Sequence, residues 1–598
     1  MVLWPLLSRS TASATKEMMQ KSLRLASRRR ASSPAAGGGR GGIRVAVVGS
    51  GPSGFYSAKY LLRSEEIAEL VMVDRLPTPF GLVRFGVAPD HPEVKNVIDD
   101  FSAVADDERF RYLGNLTLAP KTSGGESGDQ KDAASGKATV SLGELQRHFD
   151  AVVLAYGADD DRKLGIPGED IPGVLSARAF VNWYNGHPEF LHLTTPIVEA
   201  LMRRPRAVIL GHGNVALDCA RILAKATAAP VSAGDDVFDE AVALAATDIC
   251  SHAVDALRGV RESTGGLQGV VIAGRRGAAQ ASFTIKELRE LTNLKTSRFR
   301  VDQAEFLRGE TEASVSEVKG SRPKKRLYAL MKENCWLDSG EDESKAKSLP
   351  EVSLRFLLLP ESIEADDAGT ASAVRFIPAT LEGDAGAQRA VPVDTGEKID
   401  VECGLVLTAI GWRSLAADSE VPFDEARCVV PTGKGGRVIA EAAQNSDDAP
   451  PFVKGLYAAG WLRRGPSGII GTNISDGRDV AAAILEDSAE GLLRDGMKDQ
   501  DIGGGDAVIA AIASRIEGVD SLVEWTGHLR IDAAEVAAGL SKVRLFASCS
   551  ALCIKNLTQH QIHYVSIVIL RASHEKKSSL SRNCCEYPKA PPSCHDPN

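Results

Sequence analysis

An α/β architecture is predicted, with two doubly wound domains, the second inserted into the first. Three observations predict it. A short apolar strand at 45–48 runs into Gly49-Ser-Gly51-Pro-Ser-Gly54, and another at 207–210 runs into Gly211-His-Gly213-Asn-Val-Ala216. Strand character then returns late, at 404–410 and 455–459, and the simplest topology builds the first domain from both chain ends with the second inserted between. The expected organisation is a leader and linker over 1–42, the first domain in two parts at 43–156 and 412–540, the inserted domain at 157–411, and a divergent tail over 541–598.

The leader comes first. Residues 1–42 hold Arg9, Lys16, Lys21, Arg24, Arg28, Arg29, Arg30 and Arg40 against one acid, Glu17, with frequent serines and a closing Gly-rich run. That composition reads as a mitochondrial or plastid transit peptide, or as a basic tail with no address. The whole chain is 598 residues with 43% hydrophobic content, 25% charged content and a formal net charge of -9. Such a balance argues against nucleic acid as a partner. No run approaches the roughly 20 apolar residues of a membrane-spanning helix, leaving at most peripheral association. Cysteine first occurs at Cys219, and no Cys-x-x-Cys pair exists, which disfavours a disulfide scaffold, an iron–sulfur cluster and a redox dithiol centre. No metal site is expected.

In the first domain, Gly49, Gly51 and Gly54 suit a tight turn, backbone approach to a pyrophosphate, and close helix–strand packing. The following helix points free N–H groups at the phosphates. Asp74 ends the next strand, about twenty residues on, where an acid can accept from ribose hydroxyls. Two such turns in one chain predict a flavoprotein that takes hydride from a nicotinamide. Behind the second turn, the strand at 269–273 ends in Gly274-Arg275-Arg276. Two guanidiniums there suit a ribose 2′-phosphate and favour NADP over NAD. Between the second turn and that strand lies an insertion at 225–266, helical in its middle. Stretches at 123–137 and 338–347 read as surface loops.

Late in the chain, Gly460-Trp461 and Gly468-Ile469-Ile470-Gly471 punctuate a segment that enters a helix near Ser475. It suits backbone approach to a flavin ring, with Trp461 covering the site; a plain surface loop fits the spacing equally well. Arg322, Lys324, Lys325 and Arg326, with Lys286 and Arg289, make basic patches in an acidic protein. A solvated face and a docking surface for an acidic protein are both open.

Several long motifs closely resemble the mitochondrial NADPH:adrenodoxin (ferredoxin) oxidoreductase family. They are Phe80-Gly-Leu-Val-Arg84 through Pro89-Asp-His91-Pro-Glu-Val-Lys95, Gly213-Asn214-Val-Ala-Leu-Asp218, Gly274-Arg-Arg-Gly277 running to Phe283-Thr-Ile-Lys-Glu287-Leu-Arg289, and Trp461 with Arg464-Gly465-Pro466. The resemblance covers about 44–539. It implies FAD, NADPH, a [2Fe-2S] ferredoxin as electron acceptor, a mitochondrial matrix location and a monomer. It further implies FAD contacts at Ser53, Asp74, Leu82, Leu118, Trp461, Gly468, Ile469 and Ile470. NADP contacts are implied at His212, Gly213, Asn214, Val215, Arg275, Arg276, Glu287 and Gly468, and ferredoxin docking at Arg289, Arg322 and Arg326. His91 and Asp218 match polar residues near the flavin and are proton-transfer candidates; a structural histidine is the other reading of His91. His212 and Ala278 depart from the family's usual glutamine and proline. Beyond about Ser541 the resemblance ends and cysteines crowd the chain, so a poorly ordered tail is expected.

Overall fold

The computed structural model describes residues 42–119, 138–233, 236–335, 349–393, 396–440, 452–493, 503–513 and 522–549. The expected leader, up to residue 41, and the two expected surface loops lie outside them. The chain opens with β1 (Ile43–Val48), helix α1 (Pro52–Leu61), β2 (Ile67–Asp74), β3 (Phe110–Gly114) and β4 (Ala151–Leu154). It then lays down β5 (Val174–Ser176), β6 (Arg206–Leu210), α2 (Asn214–Thr227), β7 (Gly269–Ala273), α3 (Ile285–Thr292), β8 (Arg298–Val301), α4 (Arg322–Glu333), β9 (Glu351–Arg355) and β10 (Leu405–Thr408). Finally come β11 (Arg437–Ile439), β12 (Phe452–Ala458) and α5 (Asn473–Ala489).

Two six-stranded sheets result, ordered β11-β12-β4-β1-β2-β3 and β8-β9-β7-β6-β10-β5. Only β11 runs antiparallel to its neighbour; the second sheet is parallel throughout. Val45, Ala46 and Val47 are fully buried, as are Val208 and Ile209. Continuous apolar runs of this kind are what a parallel sheet covered on both faces requires. The late chain closes the first sheet through β12 on β4 and seats α5 on α1. The helices approach closely because Gly477 has no side chain; a Cβ there would stand 2.6 Å from the Tyr56 carbonyl carbon.

The passages between the sheets are paired with each other. Asp160–Asp161 and Trp412–Arg413 form a two-stranded antiparallel ribbon, and Arg413 Nε lies 2.5 Å from Asp160 Oδ2. Arg75, just past β2, reaches Asp159 at 2.7 Å and Glu189 at 2.5 Å.

The insertion after α2 is a hairpin, Val231–Ala233 with Asp236–Phe238, followed by helices Glu240–Ala245 and Ser251–Thr264. A four-stranded antiparallel sheet over Leu358–Ala365, Ala371–Glu382, Arg389–Pro392 and Ile399–Glu402 has no counterpart in the sequence reading. The divergent tail expected from Ser541 begins within helix Trp525–Cys549. Gly539 costs a helix only about 1 kcal/mol, and the Lys, Arg, Leu and Ala that follow are good helix formers. From Leu529 the chain belongs to a separate compact unit, and residues after 549 lie outside the described part. No helix among the described residues is long and apolar enough to cross a membrane.

Candidate functional site

At the carboxyl edge of the first sheet the three glycines divide their work. Gly49 has φ +105, and a Cβ there would stand 2.6 Å from Ala155 and Tyr156 backbone atoms. A Cβ on Gly54 would meet the Gly49 carbonyl oxygen at 2.0 Å, whereas one on Gly51 would meet nothing within 4 Å. Tight turn, tight packing and an open approach before α1 are the requirements for a pyrophosphate against a helix N-terminus. Asp74 holds the turn: its Oδ2 accepts from the Ser50 amide at 2.8 Å and the Ser50 hydroxyl at 2.5 Å, and its Oδ1 accepts from the Leu76 amide at 2.9 Å. Each carboxylate oxygen has more than one lone pair, so Oδ1 keeps capacity for a ribose hydroxyl.

Other segments converge there. Phe80 donates its amide to the Ser50 carbonyl at 3.0 Å and adopts φ +84 while buried. That conformation brings Gly81 against Gly51, and Leu82 starts the short helix Leu82–Phe85 beside them. From the late chain, Gly460 (φ +70) packs on Ser53; a Cβ would stand 2.6 Å from the Ser53 Cβ. Trp461 donates its indole N–H to the Ser467 carbonyl at 3.0 Å and meets Trp412 edge-on at 5.0 Å between centroids. Arg464 fixes the segment through Asp476 at 2.8 Å and Asn473 at 2.9 Å. Ile469 is left 77% exposed, and Gly468 turns at φ +88. Leu118 is buried in the core under the sheet.

The second turn repeats the pattern. Gly211 has φ +142 and abuts the Ala409 carbonyl oxygen, 2.2 Å from a would-be Cβ, while Gly213 again has nothing within 4 Å. Asn214 and Val215 open α2, and Asn214 Oδ1 accepts from the Thr284 amide at 2.8 Å. Arg275 and Arg276 are exposed, with no ion pair to a described carboxylate. Unpaired guanidiniums at a strand end suit a dianionic phosphate. His212 turns inward instead of toward that space: it is 9% exposed, and burial pushes its pKa down to about 4.

Between the two turns lies a buried charge network. Arg221 on α2, fully buried, donates Nε and Nη2 to Asp90 at 2.8 and 2.9 Å. It also lies 2.7 Å from Asp218, 3.0 Å from Glu290 and 3.4 Å from Glu287. Lys225 adds 2.8 Å to Asp90, and His91 Nε2 sits 2.6 Å from Glu290 Oε2. Burial alone would raise the Asp90 carboxyl, but Arg221 and Lys225 hold it well below the usual range. Asp218 goes the other way: burial, with the Asp90 charge beside it, raises its carboxyl against the lowering pull of Arg221 and His91. Glu287 is likewise raised, by burial and then by Asp218. Burial opposes the His91 imidazolium, but the Glu290 hydrogen bond together with the Asp90 and Glu290 charges outweighs it and holds His91 above its ordinary value. His91, Glu287 and Glu290 have the spacing of metal ligands, but the Arg221 guanidinium already supplies their cation.

Sequence reasoning named His91, Asp218 and Glu287 but missed Arg221, Asp90 and Glu290. A helical Arg one turn after Asp218 (i, i+3) was the available signal. Arg289 on α3 and Arg322 and Arg326 on α4 are exposed, and the two arginines of α4 share a face at i, i+4. Their neighbours Lys286 and Lys324 are paired, to Glu93 at 3.1 Å and to Glu317.

A family model described as pyridine nucleotide-disulphide oxidoreductase matches residues 43–266. The mitochondrial NADPH:adrenodoxin oxidoreductase of Arabidopsis thaliana is 39% identical over 503 residues, spanning 84% of this chain and 92% of its own length. The Homo sapiens protein of the same name is 40% identical over 499 residues, spanning 83% and 88%. NADPH-ferredoxin reductase FprA of Mycobacterium tuberculosis is 36% identical over 448 residues, spanning 74% and 83%. Among solved structures, FprA in complex with NADPH aligns with a TM-score of 0.66 at 34% identity, covering 84% of this chain and 96% of that one.

Proposed function

This chain belongs to the NADPH:adrenodoxin oxidoreductase family, and on that premise we propose which of its residues do the family's work. It is an FAD-dependent oxidoreductase that passes electrons from NADPH to a ferredoxin, in mitochondria. The flavin supplies the conversion of a two-electron hydride into single electrons, so each NADPH serves two [2Fe-2S] acceptors.

The chain's own residues bind, orient and hold protons. Gly51 and the first turn of α1 receive the FAD pyrophosphate, with Ser53, Gly54, Asp74, Leu82 and Leu118 around it. Trp461 and Gly468–Ile470 form the late-chain side of the flavin site. Gly213, Asn214 and Val215 receive the NADP pyrophosphate, and Arg275 and Arg276 its 2′-phosphate. His91 holds a proton at Nε2 against Glu290, next to Asp218 and Glu287, where the net charge of the buried cluster favours retaining it. Arg289, Arg322 and Arg326 form the docking face for an acidic ferredoxin. The domain partition falls at the ribbon of Asp160–Asp161 and Trp412–Arg413. A monomer in the matrix, with 1–42 as its leader, completes the proposal.

One observation carries the cofactor assignment: of the glycines in each turn, the first is crowded, while the one before the helix faces open space. Anaerobic absorbance of the purified protein tests it. Bound flavin should bleach with stoichiometric NADPH and need far more NADH; flavin-free protein would refute the assignment.

A further inference from the structure

The residue that departs from the family pattern, His212, occupies a place with a definite mechanical consequence. Its imidazole lies beneath the turn that carries Arg275 and Arg276. Nε2 is 2.9 Å from the Arg355 carbonyl oxygen; a carbonyl only accepts, so the proton is on Nε2 and Nδ1 bears a lone pair. The same Arg355 oxygen accepts the Gly274 amide at 3.2 Å. His212 and Gly274 are therefore tied to one acceptor at the end of β9. The turn is pinned further by the Leu357 amide on the Arg276 carbonyl and the Leu358 amide on the Gly274 carbonyl, each 3.2 Å.

The packing is as tight as the bonding. A Cβ on Gly274 would stand 2.6 Å from both Cε1 and Nδ1 of His212 and 2.9 Å from its Cγ. Gly274 is not among the residues with left-handed backbone, so its backbone would admit a side chain, and the nearest atoms such a side chain would meet are those of the imidazole. The ring is itself held from behind by Phe356 at 4.9 Å, edge-on, and its backbone carbonyl by Ser282, whose amide and hydroxyl donate at 3.0 and 2.7 Å. Arg355 in turn is clamped to Glu305 at 2.5–3.0 Å.

We propose that His212 is a positioning residue for recognition of the ribose 2′-phosphate: its ring sets the height of the Gly274 turn and so aims Arg275 and Arg276. His212 itself need not touch the nucleotide side chain-first, because its two ring edges face Arg355 and Gly274. The proposal rests on the assignment of that arginine pair to the 2′-phosphate.

The test is the ratio of dissociation constants of 5′-AMP and 2′,5′-ADP for the flavin-loaded enzyme, measured by calorimetry. A loss of general integrity lowers both affinities; a misaimed arginine pair lowers only the second. Gly274→Ala should reduce the ratio by about tenfold, the worth of roughly one net hydrogen bond. Gly274→Ala with His212→Ala should recover part of it, since the methyl then enters the space the ring leaves. His212→Gln, which keeps an N–H for the Arg355 carbonyl, should retain most of the wild-type ratio. An unchanged ratio in Gly274→Ala, or a double variant no better than the single one, overturns the proposal. Arg276→Ala separates the two levels: if it leaves the ratio intact the arginine assignment itself fails, whereas a ratio lost there and kept in Gly274→Ala removes only the role of His212.

Discussion

Arg221 and Asp90 are joined by two hydrogen bonds, at 2.8 and 2.9 Å, although they come from different sheets' connections: Asp90 from the segment after β2, Arg221 from the helix of the second glycine turn. With Arg221 fully buried, this pair ties the segment after β2 to the helix of the second glycine turn. Removing one partner of a buried pair costs about 3–5 kcal/mol. Arg221→Met should therefore lower the thermal midpoint sharply at pH 7, because Asp90, Asp218, Glu287 and Glu290 are left facing one another. The deficit should narrow at pH 5 as the crowded carboxyls of the variant take up protons. A deficit independent of pH would contradict this account of the cluster.

His91 predicts a second pH effect, of opposite sign to an acid's. Its folded pKa is raised above the ordinary value of 6.5 by Glu290. Its contribution to stability is thus complete below about 6.5 and is lost as pH rises through the folded value. Thermal midpoints between pH 6 and 9 should fall more steeply for wild type than for Glu290→Gln, in which the imidazole loses its hydrogen-bonded carboxylate while burial still opposes its charge. Parallel slopes would count against the His91–Glu290 pair.

Two glycine replacements should fail in different ways. Gly49→Ala forces a side chain onto φ +105 and into Ala155, so folding and yield should suffer. Gly51→Ala meets no protein atom; far-ultraviolet circular dichroism should be retained while the flavin-to-protein ratio drops. Full flavin content in Gly51→Ala would mean that the phosphates do not approach there.

Trp525 should matter for the same site from a distance. It packs edge-on against Phe80 and Phe110 at 6.0 and 6.1 Å, within a cluster that includes Phe55 and Tyr112. The antiparallel bridge between Gly114 and Val523 holds it in place. Phe80, at φ +84, sits in this cluster, and Gly81 follows it in the chain. Trp525→Ala should cost about 3–5 kcal/mol and weaken FAD retention, read by apoprotein titration with FAD; Trp525→Phe should recover most of both.

Much of this was legible in the sequence because the relevant signals are local. For the first turn, a strand, a glycine spacing and the acid Asp74 lie within a few dozen residues; Arg275 and Arg276 are reached only through the order of strands, because the insertion at 225–266 intervenes. The buried network was only half legible. His91 and Asp218 carry motif signatures, but the partner that organises them, Arg221, reads in sequence as one more helical cation, and its burial depends on helices brought together from distant segments. His212 was legible as a departure and not as a buttress, since its acceptor lies on β9, far along the chain. The antiparallel sheet at 358–402 was not legible: Ala371–Glu382 carries alternation, but two of its partners, Arg389–Pro392 and Ile399–Glu402, are four residues each, too short to show a period.

The most direct test follows electrons across the proposed docking face. NADPH-reduced enzyme is mixed anaerobically with a mitochondrial-type [2Fe-2S] ferredoxin, and reduction of the iron–sulfur centre is followed by stopped-flow absorbance at rising salt, for wild type and Arg322→Glu. The account predicts fast reduction that slows with salt in the wild type, and a large, salt-insensitive loss in Arg322→Glu with flavin reduction by NADPH untouched. A flavin that is reduced by NADPH but never reduces the ferredoxin would contradict the central claim.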